Sequence, residues 1–237
     1  MSGPGPIALV GSGEYLPHMA GIEGALFEAA RSVGRPSRYV QLATAAVPDG
    51  PDVVARWHEL GRRQADRLGV DAVIVPVEDQ SSANDPELAA MVEGAGVVYL
   101  SGGNPHFLSQ VLRGSAVWAA IEEAWRGGAA LAGCSAGAMV MASRIPSFTR
   151  GQGSDGLGLL AHLRVVPHFD RFRRRWPGDG LAHLAGEPGT VHVIGIDEDT
   201  AIVGGPQSWE VQGRGSAWTA SADGPVRHPG GSRFQTA

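Results

Sequence analysis

A three-layer α/β fold, a mostly parallel sheet with helices on both faces, is what this chain of 237 residues predicts. Three observations carry that reading. Short apolar runs at 7–10, 39–43, 72–75, 97–100 and 129–132 alternate with segments of helical periodicity; strands alternating with helices build parallel sheets covered on both sides. Gly11-Ser12-Gly13, Gly102-Gly103-Asn104 and Gly133-Cys134-Ser135-Ala136-Gly137 each follow such a run, at the sheet edge where ligands bind in open α/β folds. Apolar residues at 43% and charged residues at 18% describe a chain that folds and buries a full core.

Taken in order, Ile7-Ala8-Leu9-Val10 is a first buried strand ending in Gly11-Ser12-Gly13-Glu14. A Gly-x-Gly here invites a dinucleotide reading. Position 16 is Leu where a third glycine belongs, and the next strand ends in Thr44 rather than an acid. The fingerprint fails, and no cofactor is expected. Residues 21–33 are helical, with Ile22, Leu26, Ala29 and Ala30 on one face. The strand at 39–43 leads to a helix at 52–68, with Pro51 just ahead of it and Gly69 past its end. After the strand at 72–75, Asp85 caps a short helix whose first residue is Pro86. The strand at 97–100 runs into Ser101-Gly102-Gly103-Asn104-Pro105. Helices at 107–112 and 117–125 precede the strand at 129–132 and a buried helix at 138–142.

Residues 143–158, rich in Gly and Ser and low in periodicity, read as a loop. A strand at 163–166 closes on Pro167-His168-Phe169-Asp170, followed by Arg171-Phe172-Arg173-Arg174-Arg175-Trp176. A strand at 191–196 ends in Asp197-Glu198-Asp199, and 201–203 reads as its partner. Residues 208–211 and 217–220 read as a pair across Gly213-Arg214-Gly215. One catalytic domain over 1–237 is expected, with its core at about 7–220 and a frayed tail at 221–237.

Several classes of function receive no support. A net charge of −5 argues against general binding to nucleic acid or an anionic membrane. No apolar run approaches the ~18 residues that span a bilayer, and Met1 to Pro6 lack the basic and apolar segments of a signal peptide. A cytoplasmic protein is expected. Cys134 is the one cysteine, which excludes an internal disulfide and a Cys-based metal cage. No His-Glu-x-x-His or similar spacing occurs, so no metal is expected.

Chemistry points to Ser135. Gly-x-Ser-x-Gly between a strand and a helix is a nucleophile elbow, a sharp turn that lifts a serine hydroxyl off a strand end. Small residues at 133, 136 and 137 let strand and helix backbones come close, and Ser135 is expected in strained φ/ψ. Such a serine needs a base, a group that orients the base, and oxyanion donors. Among eight histidines, His168 directly follows a strand and shares the sheet edge with Ser135 if that strand is parallel. His106 lies near the glycine loop; His58 and His192 lie within elements; His18, His162, His183 and His228 carry no second signal. Asp197, Glu198, Asp199 and Asp170 are all candidates to orient the base. The amides of Ala136, Gly102 and Gly103 are candidate oxyanion donors.

These pieces together resemble a known family. Gly102-Gly103-Asn104, Gly133 through Ala138, Gly156-Leu157-Gly158-Leu159-Leu160, Pro167-His168-Phe169 and Gly195-Ile196-Asp197-Glu198-Asp199-Thr200-Ala201 occur in that order, over about residues 7–205. This is similar to the serine peptidases that include cyanophycinase and aspartyl dipeptidase (peptidase E). The resemblance implies a flavodoxin-like sheet of the class I glutamine amidotransferase-like kind. It implies Ser135 as nucleophile, His168 as base and Glu198 as the orienting acid, with the glycine loop and Ala136 forming the oxyanion hole. Cyanophycinases carry Asp-Gln before the histidine where this chain has Val166-Pro167. Their glycine loop reads Gly-Gly-Asp-Gln; here it is Gly-Gly-Asn-Pro, closer to the dipeptidase form.

The expected function is a serine peptidase acting on a small peptide or isopeptide bond. Asn104, Arg171 and Arg173 are candidate substrate contacts, since four arginines between 171 and 175 sit beside the proposed base. Arginine holds a carboxylate with two parallel hydrogen bonds, and relatives cut after aspartyl or β-aspartyl residues, so an acidic residue on the acyl side is expected. The rival readings are a thiol enzyme using Cys134 and a catalytically silent binding protein on the same scaffold. Oligomeric state is open, with a homodimer among the allowed states.

Overall fold

The computed structural model describes residues 3–147, 153–175, 191–221 and 224–236. Its first half alternates strand and helix as the apolar runs require. Strand β1 (Ile7–Val10) leads to α1 (Ala20–Ser32), β2 (Arg38–Leu42), α2 (Pro51–Leu68) and β3 (Asp71–Ile74). Two short helices, α3 (Gln80–Ala83) and α4 (Pro86–Ala90), precede β4 (Val97–Leu100). Then α5 (Pro105–Leu112) and α6 (Ala116–Arg126) lead to β5 (Ala130–Cys134) and α7 (Ala136–Val140). Asp85, Asn104 and Ser115 cap α4, α5 and α6, each side chain accepting an amide that the first helical turn leaves unpaired.

The second half is richer in strands: β6 (Arg144–Ile145), β7 (Ser154–Asp155) and β8 (Leu163–Val166), then α8 (Phe169–Arg175) and β9 (His192–Ile196). After these come β10 (Thr200–Gly204), β11 (Ser208–Gly213), β12 (Ser216–Thr219), β13 (Val226–Pro229) and β14 (Arg233–Gln235).

Eight strands form the main sheet in the order β14-β11-β10-β1-β5-β4-β2-β3. The five strands from β1 to β3 in that order run parallel, and β10, β11 and β14 extend one edge antiparallel. Side chains alternate between its faces, as strand geometry dictates. Leu9, Leu42, Leu100 and Leu131 pack with Leu108, Ile121 and Val140 of the helices on one side. Val10, Tyr39, Tyr99 and Ala132 pack with Leu26 and Phe27 of α1 and Ala65 of α2 on the other. Two cores, one per face, make the three layers, each fully buried Leu or Phe contributing about 1.5–3 kcal/mol.

A four-stranded sheet in the order β13-β12-β9-β8 lies beside the main one, with β8 and β9 parallel. Its Leu163, Val165, Ile194 and Ala217 join the main core. Its opposite face carries a small cluster of Val166, Val193, Trp218 and Phe169.

Four sequence expectations need correction. The strand at 201–203 pairs with β1 and β11 rather than with β9. The strand from Ser208 pairs with β10 and β14, not across Gly213-Arg214-Gly215 with β12. Both short turns are corners where the chain passes between sheets. They hydrogen-bond each other, Arg214 N–H to Asp199 O at 2.9 Å and Asp197 N–H to Ser216 O at 3.1 Å. The segment expected to fray contains β13 and β14, each hydrogen-bonded in a sheet. The segment expected as a loop contains β6 and β7, and Asp155 of β7 takes ion pairs from Arg113 at 2.8 Å and Arg144 at 3.0 Å. Residues 148–152, Trp176, His183 and the Arg175 side chain lie outside the described residues.

Candidate active site

Ser135 sits between β5 and α7 with φ 49° and ψ −107°, a conformation that costs a non-glycine residue free energy and persists where neighbours enforce it. The enforcement is visible. A Cβ on Gly133 would stand 2.4 Å from Gly137 O, and one on Gly137 would stand 2.2 Å from Leu100 O. Ser135 N–H is tied to Val10 O at 2.9 Å, while Ser135 O accepts from Met139 at 3.0 Å. The strand-turn-helix thus holds the hydroxyl off the sheet edge.

His168 stands at the end of β8, which belongs to the four-stranded sheet and not, as expected, to the sheet of Ser135; it too has positive φ, 52°. Its Nε2 lies 3.1 Å from Ser135 Oγ and its Nδ1 lies 2.7 Å from Glu198 Oε1. Glu198 follows β9, the parallel neighbour of β8, so adjacent strand ends bring imidazole and carboxylate together. The other candidate acids are engaged elsewhere. Asp170 Oδ1 accepts from the Glu198 amide at 3.1 Å and does not touch the imidazole. Asp197 accepts from Ser216 N–H and from Trp218 Nε1 at 2.9 Å, and burial pushes its carboxyl up. Asp199, at φ 53°, faces His18 Nε2 at 3.2 Å.

The glycine loop divides its amides. Gly103 and Asn104 are exposed and line the same cavity as Ser135 and His168. The Gly102 amide, expected as an oxyanion donor, instead donates to Glu14 Oε1 at 3.1 Å, which removes it from that duty. Asn104 N–H donates to Ala45 O at 2.7 Å. The amides of Gly103 and Ala136 make no hydrogen bond among the described residues. Cys134 is fully buried, and its thiol donates to Glu14 Oε2 at 2.8 Å. Burial, with Glu14 adding to it, pushes the thiol well above its ordinary range, so it stays protonated and inaccessible. Among the described residues no cluster of His, Cys, Asp and Glu is placed to hold a metal ion, and no helix is long and apolar enough to cross a membrane.

The family model for peptidase family S51 matches residues 45–209. The chain belongs to peptidase family S51. Over 163 residues it is 31% identical to a cyanophycinase of Trichormus variabilis, covering 64% of this chain and 54% of the relative. The chain therefore spans about half the length of the curated relatives it matches. Among solved structures, a peptidase from an acI-B1 Actinobacterium superposes with TM-score 0.88 at 36% identity, covering 98% of this chain and 97% of that one. A Listeria monocytogenes EGD-e protein assigned to peptidase E superposes with TM-score 0.54 at 14% identity, over 95% and 98% of the two chains, a likeness of fold. The resemblance read from the ordered motifs is borne out, and the architecture is the class I glutamine amidotransferase-like α/β fold.

In this S51 chain the arginine run is split by the helix it forms. Arg171 lines a cavity of about 1110 Å³ together with Gly103, Asn104, Ser135 and His168, and its guanidinium pairs with Glu198 Oε2 at 2.9 Å. Arg173 lies 4.2 Å above the Trp218 ring, outside the cavity lining. Helical spacing turns residues two apart to different faces, so the two arginines expected to act together are separated, and Arg171 is the one at the cavity wall. Asn104 lines the cavity, with its Oδ1 capping α5. Sequence reasoning missed Glu14, although it directly follows a glycine motif at a strand end. It also missed Asp49, Met139 and Phe172 of the lining, which carry no signal beyond neighbouring the loops already singled out.

Proposed function

We propose that this S51 protein is a serine peptidase that hydrolyses a small peptide or isopeptide bond through Ser135, His168 and Glu198. Ser135 Oγ bonds to the carbonyl carbon while His168 Nε2 takes its proton. The carbon–nitrogen bond then breaks as that proton passes to the leaving amine. Water, deprotonated by the same nitrogen, cleaves the acyl-enzyme ester and frees Ser135. Glu198 keeps the Nδ1 proton in place and stabilises the imidazolium. The amides of Gly103 and Ala136 serve the oxyanion. The observation that carries this reading is the unbroken chain from Ser135 Oγ to His168 Nε2 at 3.1 Å and from His168 Nδ1 to Glu198 Oε1 at 2.7 Å.

An acidic residue on the acyl side of the cut bond is the proposed specificity. Arg171, a cation at the cavity wall, supports it, as does the likeness to relatives named cyanophycinases. The test has two arms. A fluorophosphonate probe followed by peptide mapping should label Ser135; label on Cys134 or on nothing returns the thiol or the silent-binder reading. A dipeptide and isodipeptide library read by mass spectrometry should show cleavage after aspartyl or β-aspartyl residues, and a neutral set of products overturns the specificity.

A further inference from the structure

The segment after β1, Gly11-Ser12-Gly13-Glu14-Tyr15, fails as a nucleotide motif and has no part in the chemistry above. In the structure it meets the elbow, the glycine loop and the corner after β9. Gly11 N–H donates to Thr200 O at 2.9 Å. A Cβ on Gly11 would stand 2.1 Å from Asp197 O, and one on Gly13 would stand 2.5 Å from Asp199 Oδ1, so the segment lies against the corner that bears Glu198. Tyr15, buried at φ 64°, shares a 2.7 Å hydrogen bond with Ser101 Oγ. Glu14 makes the central contacts: Oε1 accepts from Gly102 N–H at 3.1 Å and Oε2 accepts from Cys134 Sγ at 2.8 Å. One carboxylate therefore joins the residue before the nucleophile to the residue before Gly103.

The chemistry needs such a tie. A Gly-Gly pair is the most permissive backbone a chain can have, and an oxyanion donor helps only if it is already aimed when charge develops. Asn104, bound to Ala45 O at 2.7 Å, fixes the loop on the far side of Gly103. Glu14 fixes the near side.

We propose that Glu14 is the positioning residue of the oxyanion site, holding the Gly103 amide in register with the Ser135 elbow through Gly102 and Cys134. The proposal rests on the serine peptidase reading.

The test follows the rate at which a fluorophosphonate modifies Ser135, across pH, in the full chain. Glu14→Ala should slow labelling about tenfold or more at every pH, since losing one oxyanion donor costs about 10²–10³ elsewhere. The midpoint of the pH profile should not move. Glu14→Gln retains an acceptor for Gly102 and should recover most of the rate. Gly102→Ala attacks the contact from the other side, because its Cβ would stand 2.8 Å from Glu14 Oε1, and it carries the test alone if Glu14→Ala does not fold. Labelling of Glu14→Ala or Gly102→Ala at the unmodified rate overturns the proposal. So does a shifted midpoint, which would mean action through His168, or a Glu14→Gln as slow as Glu14→Ala. An unmodified protein that takes no label removes the peptidase reading itself; one that labels alongside an equally fast Glu14→Ala removes only this inference.

Discussion

The two sheets contribute to the site in different ways. Ser135 comes from the middle of the main sheet, from β5 between fully buried β1 and β4, and hard backbone contacts at Gly133 and Gly137 define its place. His168 and Glu198 come from the ends of β8 and β9 in the smaller sheet, with side chains 41% and 23% exposed. Polar contacts set their places: the Glu198 amide donates to Asp170 Oδ1, and Arg171 pairs with the second oxygen of the Glu198 carboxylate. Hard backbone contacts dominate around Ser135, and polar contacts dominate around His168 and Glu198. The first tolerate no added atom, whereas the second can be graded by substitution.

The sharpest way to break this contrast is at the elbow. Ser135→Ala should reduce turnover to near background, roughly 10⁶-fold in the comparable serine protease series. Cys134→Ser should retain most activity, since its hydroxyl can still donate to Glu14. Steady-state rates on any cleaved dipeptide decide it; loss with the cysteine change and survival with the serine change reverse the assignment.

On the smaller sheet, Glu198→Gln should cost on the order of 10⁴-fold, as when a triad acid becomes an amide, with the fold intact by circular dichroism. Asp170→Asn keeps the oxygen that accepts from the Glu198 amide, and Asp197→Asn and Asp199→Asn touch no part of the imidazole, so all three should be milder. A loss for Asp170→Asn equal to that for Glu198→Gln would mean that the orienting group belongs to the histidine turn.

The same contrast explains what could be read from the chain. The elbow was legible because its demands are local and steric: small residues at fixed offsets between an apolar strand and a helix. The five parallel strands were legible for a similar reason, each being a short apolar run with its own caps. Pairing after Asp197 was not. A two- or three-residue turn between period-two segments looks alike whether it closes a hairpin or carries the chain to another sheet, and only the contacts of Gly213 and Asp199 across the corner distinguish them. Glu198 could be named only through the resemblance, because three adjacent acids all satisfy the local pattern. Gly102 was misread since its partner, Glu14, lies 88 residues away.

A third prediction probes the main sheet through its buried acid. Glu23 of α1 accepts from Tyr39 Oη at 2.6 Å and Gln64 Nε2 at 2.9 Å, and burial raises its carboxyl from 4.5 to about 7. The folded state then holds a proton that the unfolded chain releases, so this group's contribution falls as pH rises from about 4.5 to about 7 and is flat beyond. The loss is on the order of 3 kcal/mol. Urea titrations at pH 5 and pH 8 should show it, and Glu23→Gln should flatten the difference. An unchanged slope in that variant would assign the pH dependence to another group.

The smallest effect concerns substrate charge, and here the structure separates two arginines that the sequence grouped. Arg171 lines the cavity with its guanidinium on Glu198 Oε2; Arg173 lies over Trp218. The Arg171 side chain is 73% exposed, so solvent screens its field and no large energy is expected from charge alone. Directional hydrogen bonds are the stronger source of discrimination, because a guanidinium has more N–H groups than one carboxylate oxygen can use. Replacing the acyl-side aspartate of a substrate by asparagine should lower kcat/KM about tenfold or more, about 1.4 kcal/mol. Arg171→Met should erase most of that ratio, and Arg173→Met should leave it intact. Because Arg171 also touches Glu198, the asparagine substrate supplies the control. If Arg171→Met slows both substrates equally, the guanidinium serves the catalytic carboxylate and not the substrate. If Arg173→Met abolishes the discrimination instead, the acidic residue is read from the outer face of the smaller sheet, and the cavity wall is not where this chain recognises charge.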